Sequence, residues 1–381
     1  MAEEFYSDYT RHTKPRRRTL LTRIFDGCMT ALSLVVGATM LLTLLVPYVN
    51  PAKVAIFPIL GLTAPAIYIA TLVLALFWII RWRWIQVCLL LVPILLGCFS
   101  ISLFYRPQIR RTYDEANYDR SAFKVLTYNV RAFYDDQGQS SADQISRLLS
   151  QLDPDIICLQ EYNAALAGRS AAFTQLLENY SHIGSAGTHD AGPMLIMSKF
   201  PILRSDTIPS FGCSMWADVR IGDETVRIFN NHLHTTDIKS YDDEFISRRL
   251  YLTDSTRWAK IRSIVHRHRK NCVLRAGQVD SIAPVIADTR TRYIICGDFN
   301  DTPVSYVYRT MARGAEDAFS ACGADYSHTY RGFFNALRID YVLSSDGLEA
   351  RTYEVPDITC SDHLPVVVRL QKSESENREP K

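Results

Sequence analysis

The chain has 381 residues, 48% of them hydrophobic, with 42 Lys+Arg against 40 Asp+Glu for a formal net charge of +2. That length and composition exclude a wholly disordered chain and leave room for a membrane region plus one large domain. The charge is uneven: 12 basic and 4 acidic residues up to Arg111, then 30 and 36, so the C-terminal two-thirds, at −6, has no bulk attraction for polyanions.

A basic N-terminus, residues 1–23, precedes three apolar runs, Ile24 to Val46, Val54 to Ile80 and Ile85 to Tyr105. Each reaches the roughly 20 residues that cross a hydrocarbon core, which predicts a three-helix membrane anchor over 24–111. Trp82 and Trp84 suit an interface, and Pro58, Pro65 and Pro93 are tolerable inside packed spans. The first run is too long for a cleaved signal core and ends in Leu-Leu-Val-Pro. Arg11, Lys14, Arg16, Arg17, Arg18, Arg23, Arg81 and Arg83 lie on one side, against Lys53, Arg106, Arg110 and Arg111 on the other. This bias predicts a multi-pass protein with a cytoplasmic N-terminus and its C-terminal domain outside the cytoplasm.

Residues 112–122 read as a polar linker, 123–370 as one domain, and 371–381 as a disordered tail. Ala142 to Leu152 places Ile145, Leu148, Leu149 and Leu152 on one helical face before Asp153-Pro154 ends it. Strands are predicted at Met194–Ser198, Met215–Ile221, Thr225–His234, Arg292–Cys296, Arg338–Ser344, Ala350–Val355 and Pro365–Leu370. Asp237 to Lys270 interrupts them with a predicted helix that Ile246, Leu250, Ile261, Ile264 and Val265 line on one side. Its basic end is either a solvated face or a contact for phosphates. Alternating and continuous apolar strands together predict two packed sheets covered by helices. The nine cysteines lack zinc or redox spacing, and those inside apolar runs read as small hydrophobes.

Five segments carry polar residues of the kind a phosphate-cleaving site needs: Thr127-Tyr128-Asn129-Val130, Leu159-Gln160-Glu161, Asn230-Asn231-His232-Leu233, Gly297-Asp298-Phe299-Asn300-Asp301 and Ser361-Asp362-His363-Leu364-Pro365. Four sit on strand-like runs and the fifth precedes one, so they describe a site assembled at strand ends across a sheet. Asp298 and Asn300 point the same way on an extended chain. A carboxylate beside a carboxamide can orient water and donate to a phosphoryl oxygen; an Asx-rich turn is the plainer alternative. Asn230, His232 and His234 share one face by the same alternation, leaving Phe229 and Leu233 for the core. Glu161 ends a strongly apolar strand, where an acid needs a cation, a donor or water, and magnesium prefers hard oxygen ligands. Asp362 offers another carboxylate, with His363 beside it. Asp340 either holds an imidazole in one tautomer or pairs with Arg338.

In this order the five segments resemble the endonuclease/exonuclease/phosphatase superfamily (deoxyribonuclease-I-like) over about Phe123 to Leu370, in a membrane-anchored, bacterial-type form. The resemblance implies a four-layer α/β/β/α sandwich of two mostly antiparallel sheets. It also implies a magnesium-dependent phosphoric ester hydrolase, phosphodiesterase or phosphatase, with Mn2+ as substitute. Glu161 then matches the principal metal ligand, with Asn129 and Asp362 near the metal. Asp298 matches the residue that orients or deprotonates the attacking water, and Asn300 a phosphate-binding amide. His232 matches a phosphate-contacting or leaving-group histidine, His363 the second active-site histidine, and Asp340 its orienter. The implied reaction is direct in-line attack of water on phosphorus.

A lipid headgroup, a nucleic acid and a small phosphoester all fit that chemistry. The anchor ranks a membrane-proximal ester first. A nuclease acting on DNA or RNA is the alternative, with basic density mainly in Arg257 to Lys270. A non-catalytic scaffold on the same fold predicts loss of the metal or base residue, yet Glu161, Asp298, Asn300, Asp362 and His363 are all present. No protein partner is legible.

Overall fold

The computed structural model describes residues 19–54, 56–107, 122–185, 192–209, 212–236, 245, 248, 250 and 255–373. The three apolar runs form α1 (Leu20–Thr43), α2 (Phe57–Ile80) and α3 (Trp84–Ile101), each in a stretch long and apolar enough to cross a membrane. Asp26, the acid in the first run, is buried and paired with Arg81 and, at 3.1 Å, with Arg83. The arginines between the second and third runs therefore neutralise the charge that the first run carries. Trp78 is fully buried and donates its indole N–H to Ser33 Oγ at 2.8 Å. The third helix stops at Ile101, short of the predicted Tyr105, because Tyr105 and Arg106 leave to pair as a strand with Tyr326 and Asp325.

The chain divides into two compact units, Met1–Leu41 with Ala66–Leu96, and Leu42–Pro65 with Gly97–Lys381. The second unit thus includes the turn between α1 and α2 and the first turns of α2.

That unit holds β1 (Tyr105–Arg106), β2 (Phe123–Asn129), β3 (Ile156–Gln160), β4 (Ser181–Ser185), β5 (Met194–Ser198), β6 (Ile202–Thr207) and β7 (Ser214–Ile221). It continues with β8 (Glu224–His232), β9 (Arg292–Asp298), β10 (Ala315–Asp317), β11 (Asp325–Tyr326), β12 (Asp340–Ser345), β13 (Leu348–Glu354) and β14 (Val366–Lys372). Two six-stranded sheets run β13-β14-β2-β3-β5-β4 and β10-β12-β9-β8-β7-β6. Among the described strands, only β2–β3 and β8–β9 pair in parallel. The other neighbours in both sheets are antiparallel.

Alternation along each strand builds the layers. Val125, Ile156, Ile196, Ala217, Ile228, Ile294, Val342 and Val368 point between the sheets and form one buried cluster. The opposite face of the first sheet, including Leu126, Ile157 and Leu159, packs on α4 (Ala142–Leu152) through Ile145 and Leu149, and on α6 (Ala171–Glu178), which follows α5 (Ala164–Ala167), through Phe173. The outer face of the second sheet, including Phe229, Ile295 and Tyr341, packs on α7 (Arg257–Ala287) through Val279 and Ile282. It also packs on α8 (Tyr306–Met311) through Val307 and Met311. The result is the four-layer α/β/β/α arrangement.

Several boundaries differ from the sequence expectation. The long helix begins at Arg257 and runs past Lys270 to Ala287. Beyond Lys270 its buried face continues through Asn271, Cys272, Arg275 and Ala276, a mixed polar pattern that masks the helical period. Of the predicted lining residues, Ile261, Ile264 and Val265 are half-buried, while Ile246 lies outside the described residues. Gln371 and Lys372, expected in the tail, instead extend β14 by pairing with Glu349 and Leu348, and 374–381 lie outside the described residues. Strands β4 and β6 were missed: their faces are largely exposed and polar, and backbone pairing to β5 and β7 defines them.

Candidate active site

The predicted site residues gather around the ends of central strands, with Asn300 two residues past β9. Asn129 closes β2, Glu161 follows β3, His232 closes β8, Asp298 closes β9, Asp340 opens β12, and Asp362-His363 precede β14. Gly297 makes the approach of β9 to β8 tight. With φ of +131°, a Cβ there would lie 1.9 Å from the Asn231 carbonyl oxygen, which only glycine avoids. Glu161 and Asn300 have φ of 53° and 52°. Left-handed backbone costs a non-glycine residue about 1–3 kcal/mol and clusters at functional sites.

Asp298 is buried and held by three donors. Its Oδ1 accepts from Asn300 N at 2.8 Å, and its Oδ2 accepts from Asn300 Nδ2 at 3.0 Å and Asn129 Nδ2 at 3.1 Å. Asn129 Nδ2 also reaches Glu161 Oε1 at 3.1 Å, so one amide spans the two carboxylates. Asn300 gives its other amide hydrogen to Leu233 O at 3.1 Å. Both donors of that amide are therefore engaged within the protein, and Asn300 fixes Asp298 before it can serve a ligand. His232 Nε2 lies 3.6 Å from Glu161 Oε1 and 3.8 Å from Asp298 Oδ2.

His363 approaches the same carboxylate oxygen, its Nε2 3.7 Å from Asp298 Oδ2. Its Nδ1 meets Asp340 Oδ2 at 3.0 Å. Burial works against a charged imidazole, but the Asp340 and Asp298 carboxylates outweigh it and raise the His363 pKa well above the ordinary value. Burial pushes Asp340 up to about 6, with His363 pulling it down. Arg338 pairs elsewhere, with Asp317 at 2.8 Å, which leaves Asp340 to the imidazole. Among the described residues, Asp298, Asp340 and His363 bring ligand atoms within 4.8 Å of one another, close enough to hold a metal ion.

The groups open into a cavity of about 100 Å³ lined by Glu161, Asp298, Asn300, Asp301, Asp362 and His363. Glu161 and His232 also border a wider cleft of about 780 Å³ with Tyr162, Asn163, Pro193 and Thr235. Asp362 is further constrained by Arg131, whose Nε lies 3.7 Å from its Oδ2.

A sequence model of the endonuclease/exonuclease/phosphatase family matches residues 126–363, well over half of the chain, a span within which the eight candidate site residues lie. The chain belongs to the endonuclease/exonuclease/phosphatase family. Members of this family are phosphoester hydrolases. Residues 23–104 match a second model, a domain of unknown function (DUF8431). No curated protein matches the chain. Among solved structures, a family protein from Bacteroides thetaiotaomicron aligns with TM-score 0.50 at 18% identity, covering 68% of this chain and 100% of the other. A family protein from Bacteroides vulgatus gives 0.45 at 16%, covering 66% and 99%. A mannosyl-6-phosphatase from Bacteroides thetaiotaomicron gives 0.45 at 18%, covering 65% and 99%.

In this family member the sequence overlooked several supports. Thr329 is fully buried, and its Oγ1 accepts from the backbone N–H of Ile339 and Asp340 at 3.0 and 3.1 Å, pinning the start of β12. No strand pattern surrounds Thr329, so nothing in the sequence marks it. Tyr330 places its ring 5.1 Å from the His363 ring. Asn230, in phase with His232, is a staple between sheets. It accepts from Gln160 Nε2 at 2.7 Å and donates to Leu159 O and Leu195 O, both at 3.0 Å. Residue His234 lies beyond the end of β8, with its backbone N–H on Gln278 and its carbonyl on Arg275.

Proposed function

We propose that this protein is a membrane-anchored, magnesium-dependent phosphoester hydrolase in which water attacks phosphorus directly. The observation that carries this reading is the Asp298–His363–Asp340 line: a carboxylate fixed by three donors, an imidazole 3.7 Å away, and a second carboxylate on its far nitrogen. Asp298 takes the proton of the attacking water. His363, kept protonated by its two carboxylates, donates to a phosphoryl oxygen through Nε2 while Asp340 holds its Nδ1. His232, 3.8 Å from the same Asp298 Oδ2 and bordering the wider cleft, serves the phosphate or the leaving oxygen.

The donor set suits a hard divalent cation. Glu161, Asp298, Asp301 and Asp362 line the cavity, and its described lining contains no Lys or Arg to receive a phosphate anion. Glu161, oriented by Asn129, with Asp362 nearby, would hold magnesium, or manganese in its place. When bound, the ion supplies positive charge to the phosphoryl and leaving oxygens. Excess chelator is therefore expected to abolish hydrolysis, with recovery on adding magnesium, and Glu161→Gln to raise the magnesium needed for half-maximal rate. Full turnover in chelator would refute the metal assignment.

The basic residues flanking the apolar helices support a catalytic domain outside the cytoplasm. An alkaline phosphatase reporter fused to the C-terminal end is expected to be active; a fluorescent cytoplasmic fusion would reverse the orientation. A membrane-proximal ester is the substrate reading that the anchor favours. A nuclease is the second, with basic density mainly in Arg257 to Lys270.

A further inference from the structure

The apolar helix α2 enters the catalytic cavity. Leu62, on its second turn, lines the same cavity as Asp298, Asn300, Asp362 and His363, together with Leu337 and Ile339. None of the chemical steps above uses it. The contact is built rather than incidental. Thr302, buried and two residues past Asn300, donates to Gly61 O at 3.3 Å, and His268 places Nε2 3.2 Å from Pro58 O. Asn50 donates to Asp280 at 3.1 Å, and Arg309 lies 3.9 Å from the centre of the Tyr48 ring. Gly61 lets Val46 pack closely on the helix, since a Cβ there would lie 3.1 Å from Val46 Cγ1.

The same segment exposes Leu45, Val54 and Ile56. From Leu62 the helix continues to Ile80 as one of the stretches long and apolar enough to cross a membrane. At 1.5 Å per residue Leu62 lies roughly 8 Å along it from Phe57, so a bilayer spanned by this helix would have its headgroup–acyl boundary close to Leu62. An aliphatic wall at that level, beside a phosphoryl-sized site, suits an ester whose non-phosphate part is apolar near the phosphorus. A sugar–phosphate polyanion gains nothing from it.

We propose that Leu62 is a specificity-determining residue that touches the substrate's alkyl portion, and that the substrate is an amphiphilic phosphoester held at the lipid–water boundary. The inference rests on the hydrolase reading above and adds the substrate class.

The test uses the full chain in detergent micelles with magnesium and two chromogenic diesters that share a leaving group, methyl p-nitrophenyl phosphate and octyl p-nitrophenyl phosphate. Wild type is expected to favour the octyl ester in kcat/KM. Leu62→Ala should lower the octyl-to-methyl ratio by about tenfold, mainly through KM, as expected for a lost apolar contact. Leu62→Met should retain the ratio and Leu62→Val give an intermediate value, which preserves the test if the alanine variant folds poorly. An unchanged ratio across the series, equal losses on both esters, or faster cleavage of a DNA oligonucleotide than of either ester would overturn the proposal. Inert wild type would overturn the hydrolase reading and this inference with it, whereas turnover of both esters with no Leu62 effect overturns the inference alone.

Discussion

Asp298→Asn is expected to lower kcat by about 100-fold or more, the scale of general base catalysis, with a smaller change in KM. The size follows from what the carboxylate does here. It receives three hydrogen bonds from Asn129 and Asn300, and its Oδ2 lies within 4 Å of both imidazoles, at 3.7 and 3.8 Å. An amide in its place cannot accept the water's proton. It also sets an N–H2 against the amide donors of Asn129 and Asn300, or turns its single oxygen away from the Asn300 backbone. A structural loss therefore accompanies the chemical one, and Asn300→Ala separates them. That variant removes only one side-chain donor to Asp298, so it should cost about tenfold and leave the base in place. Loss of less than tenfold in Asp298→Asn, or an effect confined to KM, would remove Asp298 from the proton-transfer role.

Much of this site was legible because period-two alternation and strand ends are local features. Asn129, Glu161, His232 and Asp298 each follow an apolar run whose burial fixes which way the next side chain faces, and the structure brings them into mutual contact. Long-range pairing was not legible. Asn230 and His232 have the same local signal, yet one ties the sheets together and the other reaches the cavity rim. Burial between β3, β5 and β8 decides that, and the local sequence does not encode it. The choice of Arg338 for Asp317 over Asp340 depends on β10 lying beside β12. The role of residues 42–65 was hidden for a different physical reason. Apolar helix reads as lipid-facing, and the mean hydropathy of a whole span does not show that the Gly61 carbonyl accepts from the buried Thr302, two residues past Asn300.

The Asp340–His363 pair permits a test of role as well as magnitude. On the proposed mechanism His363→Ala should reduce kcat by about 100-fold or more, because it removes the proposed phosphoryl donor and leaves Asp298 without its 3.7 Å partner. Asp340→Ala should reproduce part of that loss, since it removes the group that fixes the ring at Nδ1 and raises its pKa. If Asp340 acts only through His363, the double variant should be no slower than His363→Ala, a strongly non-additive cycle. The trio of Asp298, Asp340 and His363 also admits a rival in which Asp340 is itself a metal ligand. That arrangement predicts that Asp340→Ala weakens magnesium binding even in the His363→Ala background, so the losses multiply. Calorimetric titration of magnesium into the four proteins of the cycle decides between them. Unchanged affinity with non-additive kcat assigns Asp340 to the imidazole, and a drop in affinity with multiplied losses assigns it to the ion.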